Sequence, residues 1–488
     1  MTSSLDIGFD STLCLIGGTW QRAALGRTLP VEDPSTGEEI ARISRGEKAD
    51  IDAAVAAARR ALAGDWGRMT AAERGRMLSK IGRAVEERVE WLALLEAHDV
   101  GKPLTQARAD AKALARYLEF YGGAADKLHG ETIPYLADYT VYTLREPHGV
   151  TGHIIPWNYP MQILGRSVGA ALCTGNAAVL KPAEEASLTA LAFAYIATEC
   201  GLPSGALNVV PGLGEEAGAA LTAHPDVNHL SFTGSVEIGR KVQEAAARNI
   251  VPVTLELGGK SPQIVFADAD LERALPFLVN AGIQNAGQTC SASSRILVEE
   301  SRHDEVARLM AERYRALTVG AAKDDPSVGP LISARQKEIV AGFLAAADTD
   351  GLSPAAEGRM PGAAPMGGHY VRPTLYAGVD PSMSIARDEI FGPVQVIIPF
   401  RDEEEAIAIA NGTDYGLVAG VWTRDGGRQM RMARAVRSGQ VFINNYGAGG
   451  GVELPFGGYG KSGHGREKGF EALYGFTALK TVAVWHGK

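Results

Sequence analysis

The residues with the most chemistry to offer are Cys290, Glu256 and Asn158, each set in a short segment of unusual composition. Gly287-Gln-Thr-Cys290-Ser-Ala-Ser-Ser-Arg295 puts a thiol in a polar turn of small residues between a helical and a strand-like run, where it can be exposed and activated as a nucleophile. A lone cysteine is more often an apolar filler, and Cys14, Cys173 and Cys200 read that way. Val253-Thr-Leu-Glu256-Leu-Gly-Gly-Lys-Ser-Pro262 sets one carboxylate in an otherwise apolar strand ahead of two glycines. Desolvation there lifts its pKa toward the range of a general base, although a glutamate that caps a nearby backbone amide has the same local sequence. Pro156-Trp-Asn158-Tyr-Pro160 fixes an amide side chain between two prolines at a strand end. From such a rigid loop its NH2 group can meet a developing oxyanion, though turns with Asn also occur without function.

Two further segments suit an anion. Gly212-Leu-Gly214-Glu-Glu-Ala-Gly218 and Phe232-Thr-Gly234-Ser235-Val-Glu-Ile-Gly239 each follow a strand-like run and open a helical one, so their first-turn amides are free to face phosphate. Neither has the standard dinucleotide-binding glycine spacing. Lys181 and Glu184, at the end of the preceding strand, can hold ribose hydroxyls or form a plain strand-end charge pair.

The elements that must position these residues are legible as a pattern. Thr70-Ala-Ala-Glu73 is a capping box ahead of a long amphipathic run ending at Gly101, and Ile51 to Leu62 reads as a shorter alanine-rich helix, so the first hundred residues are expected to be largely helical. From Gly149 to Gly259 short apolar runs alternate with helical segments. Strands are expected at 152–155, 178–181, 207–210, 229–232 and 253–257, with helices centred on Ala192, Ala219 and Val242, which is a doubly wound parallel sheet. A second α/β unit begins near Gly259, with strand-like runs at 263–266, 295–298, 394–399 and 440–443. The pieces 139–144 and 479–485 are isolated strands at the edges, of the kind that pair between subunits. A Gly/Pro-rich loop is expected from Gly351 to Gly368.

The chain has 488 residues, 45% of them hydrophobic and 22% charged, enough for two or three domains. A net charge of -9 argues against nucleic-acid or anionic-membrane partners, which need a basic field. Four scattered cysteines with no C-x-x-C pair suggest neither a disulfide framework nor a metal site, and point to a reducing, cytoplasmic setting. The first 18 residues carry Asp6 and Asp10 and lack the basic flank and apolar centre of a signal peptide. The longest uncharged stretches are broken by proline or glycine, which excludes a helical membrane span.

Together these segments resemble the aldehyde dehydrogenase superfamily, in content and order, from about Val31 to Val484. The blocks are Pro156-Trp-Asn-Tyr-Pro160, Lys181-Pro-Ala-Glu184, Phe232-Thr-Gly-Ser235, Glu256-Leu-Gly-Gly-Lys260, Gly287-Gln-Thr-Cys290, Glu389-Ile-Phe-Gly-Pro393 and Pro455-Phe-Gly-Gly458. The resemblance implies NAD-dependent oxidation of an aldehyde to an acid, with Cys290 as nucleophile, Glu256 as general base, and Asn158 and the Cys290 amide as oxyanion donors. It implies cofactor contacts from Ile155, Pro156, Trp157, Lys181, Glu184, Gly214, Phe232, Gly234, Ser235, Leu257, Glu389 and Phe391. Glu184 favours NAD over NADP through repulsion of a 2'-phosphate, without excluding NADP. Glu256 favours hydrolysis, since relatives that pass the acyl group to coenzyme A generally lack it. No metal is implied.

The chain departs from the family pattern after Pro160, where Met-Gln-Ile-Leu-Gly-Arg166-Ser167 replaces the common Trp-Lys pair. Arg166 resembles the arginine that clamps the carboxylate of succinate semialdehyde, which points to a semialdehyde acid as substrate; an arginine there can equally pair with a neighbouring acid. Cys290-Ser-Ala-Ser-Ser-Arg295 instead resembles amino-aldehyde and betaine-aldehyde members. Ser167 removes a basic partner for Glu467. The expected architecture is a Rossmann-type doubly wound cofactor domain (1–126 and 148–258), an α/β catalytic domain (259–469), and a small β oligomerisation ribbon (127–147 and 470–488). The expected assembly is a homodimer or homotetramer. The rival readings are a coenzyme-A-acylating enzyme, a catalytically silent homologue and an esterase.

Overall fold

A computed structural model describes residues 7–360, 367–447 and 451–487. Residues 361–366 of the expected Gly/Pro-rich loop and the first six residues lie outside that description.

The first sheet is built on five parallel strands: β1 (Val150–Ile155), β2 (Ala177–Pro182), β3 (Leu207–Val209), β4 (His229–Thr233) and β5 (Val253–Glu256), in the spatial order β5-β4-β1-β2-β3. All five are covered on both faces, which is why they read as continuous apolar runs rather than alternating ones. The order reverses next to β1, so the loops after β1 and β4 open on one crevice at the carboxyl ends of the strands, where ligands of such sheets collect.

The second sheet carries six parallel strands: β6 (Pro262–Val265), β7 (Arg295–Glu299), β8 (Thr374–Ala377), β9 (Val394–Phe400), β10 (Val418–Trp422) and β11 (Gln440–Ile443), ordered β8-β9-β7-β6-β10-β11. β8 and β10 were not expected. Each sheet has its own buried cluster, Leu180 and Phe193 centring the first and Ile264 and Ile397 the second.

The structure corrects several expectations. The first hundred residues are not largely helical: strands lie at Cys14–Ile16, Thr19–Gln21, Thr28–Asp33 and Glu38–Ser44 before the first helix, Lys48–Ala63. The turn Pro34-Ser-Thr-Gly37, with Gly37 at φ 75°, closes the last two into a hairpin. The capping box at Thr70 forms, yet the run to Gly101 is two helices, Ala71–Glu86 and Val89–Val100. Around Ala219 there is one π turn, Gly214–Gly218, and a single α turn, Ala219–Thr222. The edge pieces are not isolated, because Tyr139–Pro147 pairs antiparallel with Thr477–Trp485 along nine residue pairs. The chain also returns to the first sheet earlier than residue 469: Gly463–His464 pairs with β5, directly beside Glu256.

Four helices frame the site: α1 (Leu104–Ala124), α2 (Pro160–Cys173), α3 (Val236–Arg248) and α4 (Leu271–Ile283). Pro160 starts α2, where its missing N–H costs nothing. Gly165 lets α1 approach α2: a Cβ there would sit 2.9 Å from the Tyr117 ring. No helix among the described residues is long and apolar enough to cross a membrane.

Candidate active site

Cys290 follows α4 by way of an unusual turn. Asn285, Ala286 and Gly287 all have positive φ (48°, 54° and 75°), which costs the two non-glycine residues backbone strain and is held by buried hydrogen bonds. Asn285 Nδ2 donates to the Asn158 carbonyl at 2.9 Å, Gln288 Nε2 donates to the Asn285 carbonyl at 2.9 Å, and Asn158 Nδ2 donates to the Gln288 carbonyl at 3.0 Å. The loop after β1 and the loop before β7 are thereby stitched together, so Asn158 and Cys290 line one cavity from loops of the two different sheets. Asn158 is 4% exposed, and its Oδ1 has no partner. Its amide has a second N–H besides the one given to Gln288, and among the described residues no acceptor takes the Cys290 backbone N–H. Two such donors on residues that line one cavity are the kind of groups that can receive an oxyanion.

Burial pushes the Cys290 thiol up to about 12, against the pull of the Arg166 guanidinium. Gly259 is required beside it, since a side chain there would overlap the Cys290 carbonyl.

Glu256 ends β5 and is buried, with neither carboxylate oxygen hydrogen-bonded. Burial, reinforced by Glu467, holds its carboxyl well above the usual range, while Arg166 and Arg466 oppose the shift. A carboxyl left unpaired at this depth is costly as structure, which argues for a chemical role. It lies under Gly457, where a Cβ would come 2.8 Å from Oε1, behind the cavity wall.

Arg166 lines the cavity but is only 6% exposed. Its Nε forms an ion pair with Glu467, its Nη2 donates to Thr233 Oγ1 at 3.3 Å, and the guanidinium lies 4.9 Å from the Phe456 ring centre. Ser231 Oγ donates to Glu467 Oε1 at 2.8 Å. The loss of a basic partner expected for Glu467 does not occur: Arg166 takes that place, while Ser167 Oγ donates to the Ile163 carbonyl of its own helix at 2.9 Å. Removing one partner of a buried pair of this kind typically costs about 3–5 kcal/mol, because the other charge is stranded.

The same cavity, about 1170 Å³, runs from Cys290 toward the first sheet's crevice, where Trp157, Gly234, Ser235, Leu257 and Phe391 line it together with Pro156. Ser235 caps α3, accepting from the Ile238 amide at 3.3 Å, so the helix presents its free first-turn amides. Trp157 and Phe391 meet edge to face at 5.5 Å. Glu389 accepts from the Gly259 amide at 2.8 Å, and burial lifts its carboxyl to about 7. An anion-binding helix terminus joined to flat apolar plates fits a dinucleotide. Ile155 and Phe232 are buried under this end without lining it, and Phe232 packs where a Gly234 Cβ would fall, 2.6 Å from its ring. Lys181 Nζ donates to Glu184 Oε2 at 2.6 Å, and this pair and Gly214 stand outside the cavity lining.

Sequence reasoning missed the walls at the Cys290 end: Tyr117 from α1, Phe277 from α4, and Tyr446, Val452 and Phe456 from the C-terminal loops. Tyr446 Oη also donates to the Ser291 carbonyl at 2.6 Å, fixing the residue after the cysteine. Among the described residues no cluster of side chains could hold a metal.

Comparison with known proteins agrees with this geometry. The sequence profile of the Aldehyde dehydrogenase family matches residues 20–482. Human retinal dehydrogenase 2 is 42% identical over 99% of this chain and 93% of its own length. The NAD+ complex of a Bacillus cereus aldehyde dehydrogenase superposes with a TM-score of 0.95 at 40% identity, over 99% of this chain and 97% of that one. A Staphylococcus aureus betaine aldehyde dehydrogenase, also in complex with NAD+, gives 0.96 at 35% identity over 100% and 97%. With a family match along nearly its whole length, this chain belongs to the aldehyde dehydrogenase family.

Proposed function

We propose that this protein oxidises an uncharged aldehyde to its carboxylic acid with NAD, through a thioester on Cys290 that is hydrolysed by water activated by Glu256. The observation that carries the reading is that Cys290 and Asn158 face one end of a cavity whose other end suits a dinucleotide. The Cys290 sulfur attacks the carbonyl carbon, and the oxygen's new charge is met by the Asn158 Nδ2 and Cys290 N–H groups. Phe391 and Glu389 would hold NAD, which would supply the acceptor for the hydride that leaves this carbon. Glu256 then takes a proton from water, the water oxygen bonds to the thioester carbon, the C–S bond breaks with its electron pair going to sulfur, and the acid departs with Cys290 restored.

An uncharged substrate follows from the aromatic walls, Tyr117, Phe277, Tyr446 and Phe456, and from the commitment of Arg166 to Glu467. A semialdehyde acid is the second reading, favoured by the exposure of Arg166 to the cavity. NADH release across anionic, neutral and cationic aldehydes, repeated with NADP, separates these readings and the betaine-type one. The hydrolytic step is tested by Glu256→Gln: a burst of NADH near one equivalent per site, then stalled turnover, is expected. An unimpaired steady state in that variant, or turnover of the unsubstituted enzyme that requires coenzyme A, would favour the acylating alternative.

The ribbon Tyr139–Pro147 with Thr477–Trp485 exposes Leu144, Leu479, Val484 and Trp485, which supports a homodimer or homotetramer built through that edge. The four unpaired cysteines support a reducing, cytoplasmic setting.

A further inference from the structure

We propose that Arg166 is a positioning residue that favours the Cys290 thiolate, its charge presented to the sulfur by an anion, Glu467, anchored behind it. The inference rests on Cys290 being the nucleophile. Its basis is the orientation of the pair: Arg166 lines the cavity that Cys290 lines, whereas Glu467 is fully buried and does not reach the cavity. The cation therefore stands at the wall of the cavity that holds the sulfur, with the anion behind it, so the charge of the pair is offset toward the cavity rather than cancelled there. Glu467 is fixed in turn by Ser231 Oγ on β4, and Arg166 by Thr233 two residues along the same strand and by the Phe456 ring.

The ionisable groups around Cys290 are Arg166 and Lys468 on the positive side, Glu256 and Glu389 on the negative, and the phenols Tyr159 and Tyr446. Arg166 itself faces Glu467, Glu256, Lys468, Tyr117 and Tyr121 as well as the sulfur. Burial and the nearby Arg166 bring Lys468 down to about 7, so its charge fades across neutrality, while a guanidinium keeps its charge throughout. Arg166 is then the constant positive field at the sulfur. When the S–H bond breaks, the proton passes to water in the open cavity and the electron pair stays on sulfur, stabilised by that field.

The test is the pH dependence of Cys290 alkylation by iodoacetamide in the full-length protein. Cys14, Cys173 and Cys200 are buried, and Cys290→Ser supplies the blank. Arg166→Met should move the profile to higher pH by about one unit, slowing alkylation at pH 7.5 by roughly tenfold, and Arg166→Lys should recover most of the rate. Glu467→Gln, which removes the opposing charge and keeps the shape, should move the profile the other way. A Met profile that superimposes on the unsubstituted protein overturns the proposal, as does a Gln variant shifted to higher pH. Should the Met variant fail to fold, the sign of the Gln shift decides. NADH production retained by Cys290→Ser would instead overturn the underlying reading of the nucleophile. A rise in KM confined to anionic aldehydes in Arg166→Met, with its alkylation profile unmoved, would overturn the proposal and assign Arg166 to substrate binding.

Discussion

Replacing Asn158 with alanine separates what the residue does for folding from what it does for the reaction. In the resting protein the side chain makes one hydrogen bond, from Nδ2 to the Gln288 carbonyl at 3.0 Å, and that carbonyl keeps a second, longer donor in Asn285 Nδ2 at 3.4 Å. Losing one such bond costs about 1 kcal/mol, partly offset because the substitution also removes a buried Oδ1 that has no partner. The melting temperature should therefore fall by about 2 °C or less. In the transition state the same amide faces a full negative charge, and deleting one donor of an oxyanion hole costs about 3–4 kcal/mol, or about 10²–10³-fold in rate. Stopped-flow NADH formation in a single turnover reads this step directly. Asn158→Asp, of the same shape with no N–H to give, should lose at least as much. A rate within about threefold of the unsubstituted enzyme, in a variant of normal melting temperature, refutes the assignment.

Burial raises the pKa of both groups that the proposed reaction needs ionised, the Cys290 thiol to about 12 and the Glu256 carboxyl well above its usual range. Each acts ionised, so kcat should climb steadily from pH 6.5 to pH 9 and fall away toward acid; a profile that is flat or highest below pH 7 contradicts this. Gly259→Ala should abolish detectable NADH formation while leaving thiol content at four per chain, because the methyl group would displace the Cys290 carbonyl; activity within tenfold of normal would show that the loop yields. Trp485→Asp should lower the particle mass measured by light scattering, given a ring 64% exposed on the ribbon; an unchanged mass would place the subunit contact elsewhere.

Much of this was legible in the sequence, for physical reasons. The five strands of the first sheet are apolar on both faces, so each stands out as a short run between small residues. β10 was hidden by Gly420, which is kept small by the Tyr446 ring: a Cβ there would approach it to 2.9 Å. The hairpin of residues 28–44 is rich in charge and was swallowed by the helical pattern that follows. Cys290 and Asn158 were visible because their chemistry is local to a turn. The cavity walls were not: Tyr117 is 1% exposed on a helix and looks like any core residue until α2 is packed against it. The bond between Arg166 and Glu467 joins segments far apart in the chain, and neither end advertises it.

The left-handed turn before Cys290 has a mechanical consequence. Gly287 is pressed against the Gly392 carbonyl so closely that no methyl group could come between them, and Phe391, the residue before Gly392, is itself held at a positive φ of 55°. The stretch that receives one reactant and the stretch that carries the sulfur thus share a seam without slack. A side chain added on either face of that seam must displace the other, so the two stretches can be altered only together.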